Sequence, residues 1–382
     1  MEFAMWAYPW DILEEGPETV ETRLRDIGIG EVNLATNYHT VQAFAPHNPE
    51  RRTLFARASS YFETGPAYER LEPIPYEGMD GDWVADVADG LSDLTLTSWT
   101  VGCHNSRLGM DNRDCTLESA HGDDLVFGLC PSNPAVQTYL TALVSDLASR
   151  DGLDRVELET FDYFYGTGFG WHHQKIHAQL GTLGEFLFGL CFCPDCRSNA
   201  ADAGVDTERV RTTVAETLDA IVAGEVAHDR SPEQWLAEHS GVAAYVDVRE
   251  GTLTSLYAEL ADAAGSTPLG YYVGAPDPGR EWMVGADLDA LSAHVDYYCL
   301  PAYESTTDEV LAAYDAVEGL VDVPLHVGLL PGHPAIHDEA TVVDIVQALE
   351  LRDVPRVSFY NYGLLPEQSL EWVGTATNAV EG

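Results

Sequence analysis

The chain of 382 residues carries 63 Asp and Glu against 19 Lys and Arg, a formal charge of −44, and Lys175 is its single lysine. The acids run along the whole chain rather than in a tail, so the charge belongs to a folded surface, which is stable where salt shortens the Debye length to about 3 Å at 1 M. Such a field repels phosphate backbones and anionic lipids, which excludes nucleic-acid and membrane partners and leads us to expect a salt-adapted protein of haloarchaeal type.

The opening "MEFAMWAYPW" has no basic segment and no long apolar one, and it already alternates like a strand, so it reads as the first structural element rather than a leader. No run reaches the roughly 18 apolar residues of a membrane span. A cytoplasmic setting is expected, where clustered cysteines mean metal more often than disulfide. Short apolar strands then recur at 2–10, 31–39, 94–102, 155–160, 269–274, 295–303, 324–330 and 356–363, each expected to be followed by an amphipathic helical stretch. Helical patterns lie at 17–27, 208–223, 283–293, 308–318 and 339–351. After "PSNP", Pro134 starts a further helix whose Val136, Tyr139, Leu140, Leu143, Val144 and Leu147 share one apolar face. Eight strands predict a closed (β/α)8 TIM barrel, an α/β single domain over 1–382 with insertions at about 40–80 and 161–204, after strands two and four. An open doubly wound sheet is the other candidate, but no glycine-rich phosphate loop follows the first strand.

Three of the seven cysteines fall in "LCFCPDCR": Cys191, Cys193 and Cys196. A CxCxxC turn presents thiolates to a tetrahedral zinc and leaves one ligand to come from elsewhere. Cys130, just before the helix that feeds strand four, is the preferred fourth ligand, with Cys103 and Cys115 as alternatives; Cys299, late in an apolar strand, reads as a buried thiol. Four sulfurs would close the site, so the expected Zn2+ is structural.

A cysteine in a "CPSNPAV" helix start followed past strand four by CxCxxC resembles the zinc cluster of glycoside hydrolase family 42 β-galactosidases, whose catalytic domain is a TIM barrel. The stretch "LDRVELETFDYFYG" also resembles the fourth strand of glycosyl-hydrolase barrels more broadly. The resemblance implies a glycosidase with an acid at the end of strand four. Where family 42 has an Asn-Glu pair there, this chain has Leu158-Glu159, and its "PLHVGLLPGHP" has His326 and His333 in place of an acid after strand seven.

In "RVELET", Glu157 and Glu159 alternate with Val156 and Leu158, so both acids are expected inside the barrel, with Glu159 nearer the mouth. A buried ion pair, with Arg107 or Arg356, is the competing role, foremost for Glu157. Glycoside cleavage needs two carboxyls. Glu304 after strand six is the expected partner of Glu159, with helix-start duty as its competing role and Asp162 held in reserve. Strand ends rich in aromatics, amides and imidazoles mark a sugar rim: Trp6, Tyr8, Trp10, Asn37, Tyr38, His39, His104, Asn105, Tyr303, His326, Tyr360, Asn361 and Tyr362. The loop "GTGFGWHHQKIH" adds Trp171, His172, His173 and His177, a weaker metal candidate because it lacks the HExxH pattern.

The expected activity is therefore hydrolysis of small glycosides or oligosaccharides, with a small carbohydrate as partner and a homo-oligomer left open. The alternatives are a sugar isomerase or lyase using a divalent metal at the His-rich rim, and a carbohydrate-binding protein derived from a glycosidase.

Overall fold

The computed structural model describes residues 1–163, 178–227, 229–274 and 277–381. Each expected strand forms: β1 (Glu2–Ala7), β2 (Glu31–Tyr38), β3 (Thr95–Val101), β4 (Arg155–Glu159), β5 (Leu269–Tyr272), β6 (Tyr297–Pro301), β7 (Leu325–Leu329) and β8 (Arg356–Phe359). All are parallel, and β1 pairs with both β2 and β8, which closes the cylinder as a (β/α)8 TIM barrel. Helices outside the cylinder cover it, among them Pro17–Asp26, Pro134–Ala148, Ser240–Ala264, Thr307–Glu318, Glu339–Glu350 and Glu367–Glu381.

Local chemistry explains the helix that leads into β4. Asn133 caps it by accepting from the backbone N–H of Ala135 at 3.0 Å, Pro134 occupies the first turn, and Val136, Tyr139, Leu140, Leu143, Val144 and Leu147 are all buried. The segment after β2 forms a hairpin, Val41–Phe44 against Thr53–Ala56, and Ser59–Ser60 pairs antiparallel with the end of β2.

The chain between β4 and β5 builds a second apolar cluster beside the barrel core. Leu183, Phe186, Leu187 and Phe192 pack there with Val210, Val214, Leu218, Trp235, Val242 and Tyr245, around the cysteines. Each fully buried aliphatic or aromatic side chain is worth about 1.5–3 kcal/mol, so the long excursion is held by its own packing. Among the described residues no helix is long and apolar enough to cross a membrane.

The barrel interior departs from the usual filling of branched apolar side chains. Arg356, fully buried on β8, donates to Glu31 at 2.5 Å and to Glu157. Arg155 also pairs with Glu31, and Thr97 donates to Glu31 at 2.6 Å. Glu157 further accepts from Asn33 at 2.7 Å and Tyr297 at 3.2 Å. Glu157 is thus consumed by a buried ion-pair network, the structural role weighed for it above. Bulky interior residues need small neighbours: a Cβ on Gly270 would stand 2.4 Å from the Tyr297 ring, and one on Gly328 would stand 2.5 Å from Trp6.

Candidate active site at the barrel mouth

Above this polar floor lies a cavity of about 200 Å³ lined by Trp6, Tyr38, Trp99, Glu159, Thr160, Asp162, Tyr272, Val273, Pro301, Tyr303 and Tyr360. It opens at the C-terminal ends of the strands, where barrel enzymes place their chemistry. Floor and cavity are tied together: the Trp6 indole donates to Tyr272 Oη at 2.6 Å, and Tyr272 Oη in turn donates to Glu157. A larger hollow of about 320 Å³ lies off the barrel axis, by helices Thr207–Val222 and Ser240–Ala264; it gathers no comparable set of enclosed aromatic and acidic groups.

Glu159 is the last residue of β4 and its carboxylate accepts from the Trp99 indole. Burial raises its pKa from 4.5 to about 7; the Trp99 hydrogen bond opposes the shift, and the nearby charge of Asp162 adds to it. The next residue, Thr160, has a φ of 53°, a left-handed conformation unusual for a β-branched side chain. In an extended strand, residues three apart point to opposite faces. The turn at Thr160 breaks that alternation, so Glu159 and Asp162 border the same cavity. Asp162 accepts from Tyr271 Oη at 2.6 Å.

The sequence-derived residues divide. Trp6, Tyr38, Tyr303 and Tyr360 line the cavity with Glu159 and Asp162. Tyr8 stacks on Trp10 at 4.6 Å and meets Tyr360 Oη at 3.2 Å, both rings being buried behind the lining. Asn37 donates to the carbonyl of Val101 at 2.6 Å, Asn105 caps the helix Ser106–Asp111, and Asn361 accepts from the N–H of Gly363 at 3.1 Å. These amides therefore satisfy backbone. Tyr362 donates to Glu15 at 2.9 Å, also away from the lining. The His39 and His104 rings stack at 4.7 Å next to Tyr38 but outside the lining set.

His326 is the second residue of β7, and its place is the barrel floor rather than the rim: it stacks on Tyr297 at 4.5 Å. Burial, then the charges of Arg356 and Arg155, push its pKa down to about 2, so the ring is neutral. Glu304 also lies apart from Glu159. It borders a pocket of about 10 Å³ with Leu329, Leu330, Pro331, Ile336, Val342 and Ile345, and burial raises its carboxyl above the ordinary range. The structure brings Glu159 together with Asp162, the reserve acid, and not with Glu304. Trp171, His172, His173 and His177 lie outside the described residues.

Sequence reading missed Trp99, Thr160, Tyr272, Val273 and Pro301 among the lining residues. Trp99 shares the inward phase of Thr97 on β3, and Tyr272 shares that of Gly270 on β5. Strand alternation counted back from Glu159 through the neighbouring strands is the signal that would have identified both.

The four cysteines converge. The sulfurs of Cys130, Cys191, Cys193 and Cys196 all lie within 4.8 Å of one another and all four residues are buried. Cys130 Sγ is 3.4 Å from Cys196, 3.6 Å from Cys193 and 3.7 Å from Cys191. Disulfide sulfurs stand about 2.05 Å apart, whereas four thiolates about 2.3 Å from a tetrahedral metal stand about 3.8 Å apart. The spacing fits metal ligation. Backbone N–H groups aim at the sulfurs, Glu118 at 3.4 Å and Cys193 at 3.5 Å on Cys191, and Cys196 at 3.5 Å on Cys193. Burial works against ionising Cys191, but hydrogen bonds from Cys130, Cys193 and Cys196 pull its pKa well below the ordinary value. The cluster also reaches the site, because Cys196 Sγ lies 3.3 Å from Ser132 Oγ, which lies 2.7 Å from the hydroxyl of Tyr163, the neighbour of Asp162. Cys103 and Cys115 are buried thiols outside the cluster, as is Cys299, 3.4 Å from Glu157.

In sequence the chain matches no protein-family model and no curated protein. In structure it is similar to the glycoside hydrolase domain of PgaB (BpsB) from Bordetella bronchiseptica, with a TM-score of 0.60 at 13% identity over 99% of each chain. It is also similar to a polyextremophilic β-galactosidase from the Antarctic haloarchaeon Halorubrum lacusprofundi, with a TM-score of 0.61 at 12% identity over 99% of this chain and 58% of that one. A β-galactosidase from the psychrophilic Marinomonas ef1 gives 0.60 at 10% identity over 100% and 60%. The chain therefore spans about three fifths of these β-galactosidases. At such identities the likeness is one of fold.

Proposed function

We propose that this chain is a glycoside hydrolase acting on small glycosides or oligosaccharides, with Glu159 as general acid and Asp162 as the second carboxylate. The observation that carries the reading is Glu159 itself: a carboxyl with a pKa of about 7, set in an aromatic cavity at the end of β4 beside a second acid. A carboxyl poised near neutrality holds a proton in the resting site and gives it to the departing glycosidic oxygen. Asp162 then supplies the negative charge that an oxocarbenium-like transition state needs, acting on the sugar or on the attacking water. Aromatic faces pack on the apolar side of the ring and keep water away. The glycosidase names of the structural neighbours agree with this reading.

The cysteine cluster is proposed to hold one Zn2+. Four thiolates would leave no open position, so the metal would brace the segment after β4 through Ser132 and Tyr163 rather than activate water. The rest of the proposal is a single catalytic domain over 1–382 that works in the cytoplasm at high salt. A panel of chromogenic glycosides assayed in molar KCl tests the activity: release of chromophore by the full chain supports it, and failure to cleave any member overturns it.

A further inference from the structure

We propose that Arg249 is the counter-charge of the cysteine-bound metal, a positioning residue that offsets the negative charge four thiolates bring to Zn2+. The inference rests on the zinc reading above and adds to it a partner beyond the four sulfurs. The starting point is an arginine without an acid. Arg249, in the middle of the helix Ser240–Ala264, is 2% exposed. One Nη reaches the carbonyl of Met283 at 3.5 Å, while Nε and the other Nη have no hydrogen-bond partner among the described residues.

A guanidinium does not give up its proton inside a protein, and a charge taken out of water is costly unless an opposite one stands near. No carboxylate bonds to Arg249 among the described residues. The stretch 164–177, which follows Tyr163, contains no Asp or Glu, so it has no acid to offer either. Glu250, the next residue, borders a separate hollow with Glu281, Trp282 and Asp287.

What does stand near is the cysteine cluster. The Arg249 guanidinium lies 4.4 Å over the Tyr163 ring, Tyr163 Oη is 2.7 Å from Ser132 Oγ, and Ser132 Oγ is 3.3 Å from Cys196 Sγ. One turn earlier on the same helix face, Tyr245 donates to the carbonyl of Cys191 at 2.6 Å. Zn2+ with four thiolates is a dianion, and here all four of its ligands are buried. In a poorly polarisable interior, charges separated by a single phenol still act on each other strongly. The Tyr163 face supplies part of the compensation with or without the metal, and a cation–π contact that serves packing alone is the competing role.

The test is competition for Zn2+ between the full chain and a chromogenic chelator in molar KCl, run on the parent, Arg249→Met and Arg249→Lys. Arg249→Met is expected to hold zinc about 10- to 100-fold more weakly, and Arg249→Lys, which keeps the charge, to recover most of that loss. Arg249→Gln, also uncharged, takes the place of the methionine variant should that one not fold. Zinc held as tightly by an uncharged variant as by the parent overturns the inference and leaves the zinc reading standing. A lysine variant as weak as the uncharged ones also overturns it, because shape and packing rather than charge would then set the affinity. A parent that binds no zinc overturns both.

Discussion

Glu159 and Asp162 border one cavity although they stand three residues apart at a strand end, because Thr160 between them turns left-handed at a φ of 53°. A short stretch of chain thereby delivers two acids to one place. The conformation is costly for a threonine, about 1–2 kcal/mol, and it occurs where the strand meets the cavity, a common location for such strain.

The raised pKa of Glu159 has a stability consequence. Its ordinary value is 4.5 and its folded value about 7, so the folded state holds the proton more tightly. Stability is then fullest below pH 4.5 and falls as pH rises towards 7, by about 3 kcal/mol in total. Glu159→Gln removes the titration. Urea unfolding across pH should show the variant matching the parent below pH 4.5 and exceeding it above pH 7.

Arg356 is fully buried between Glu157 and Glu31. Arg356→Met leaves Glu157 uncompensated in the barrel, while Glu31 keeps Arg155, and should cost about 3–5 kcal/mol. Chemical denaturation measures that loss, and adding Glu157→Gln to the same variant should recover part of it by removing one stranded charge.

One zinc per chain is expected by elemental analysis, retained through dialysis against a weak chelator. Cys130→Ser should lose it and lower the melting temperature, because the ion tying the helical excursion after β4 to the start of the helix Pro134–Ala148 would then be gone. Zinc that exchanges freely while activity tracks its loss would place the metal in the chemistry instead.

Nearly all the described arginines are paired with acids, and a large excess of carboxylates remains. Going from 0.1 M to 1 M salt shortens the Debye length from about 10 Å to about 3 Å, so the melting temperature should climb steeply with KCl. A melting temperature indifferent to salt would remove the basis for reading the surface as salt-adapted.

The barrel was legible because its strands are short apolar runs separated by patterned helices, and in the helix from Pro134 all six residues of the expected apolar face are buried. The cysteine tetrad was legible because CxCxxC asks for one more thiol and Cys130 stands before the helix feeding β4. The cavity was less so. Aromatic and amide residues at strand ends serve capping and packing as readily as ligands, as Asn105, Trp10 and Asn361 do here. Which side of a strand faces inward is settled by register with its neighbours, which is why Trp99 and Tyr272 escaped notice and His326 was placed too high. The helix Ser240–Ala264 was overlooked although Val242, Tyr245, Val246, Leu253, Leu256, Tyr257, Leu260 and Ala264 are buried at three- and four-residue spacing; the buried Arg249 interrupts that stripe, and its two ends meet different apolar clusters.

The central claim, that Glu159 gives a proton to the leaving group, is tested most directly by comparing parent and Glu159→Gln on two glycosides of the same sugar, one with a dinitrophenyl leaving group and one with a second sugar. A dinitrophenolate departs without a proton and a sugar alkoxide does not. The account predicts that the variant loses about 10²- to 10⁴-fold in kcat/KM on the disaccharide and far less on the activated substrate. Equal losses on both, or none on the disaccharide, would contradict it.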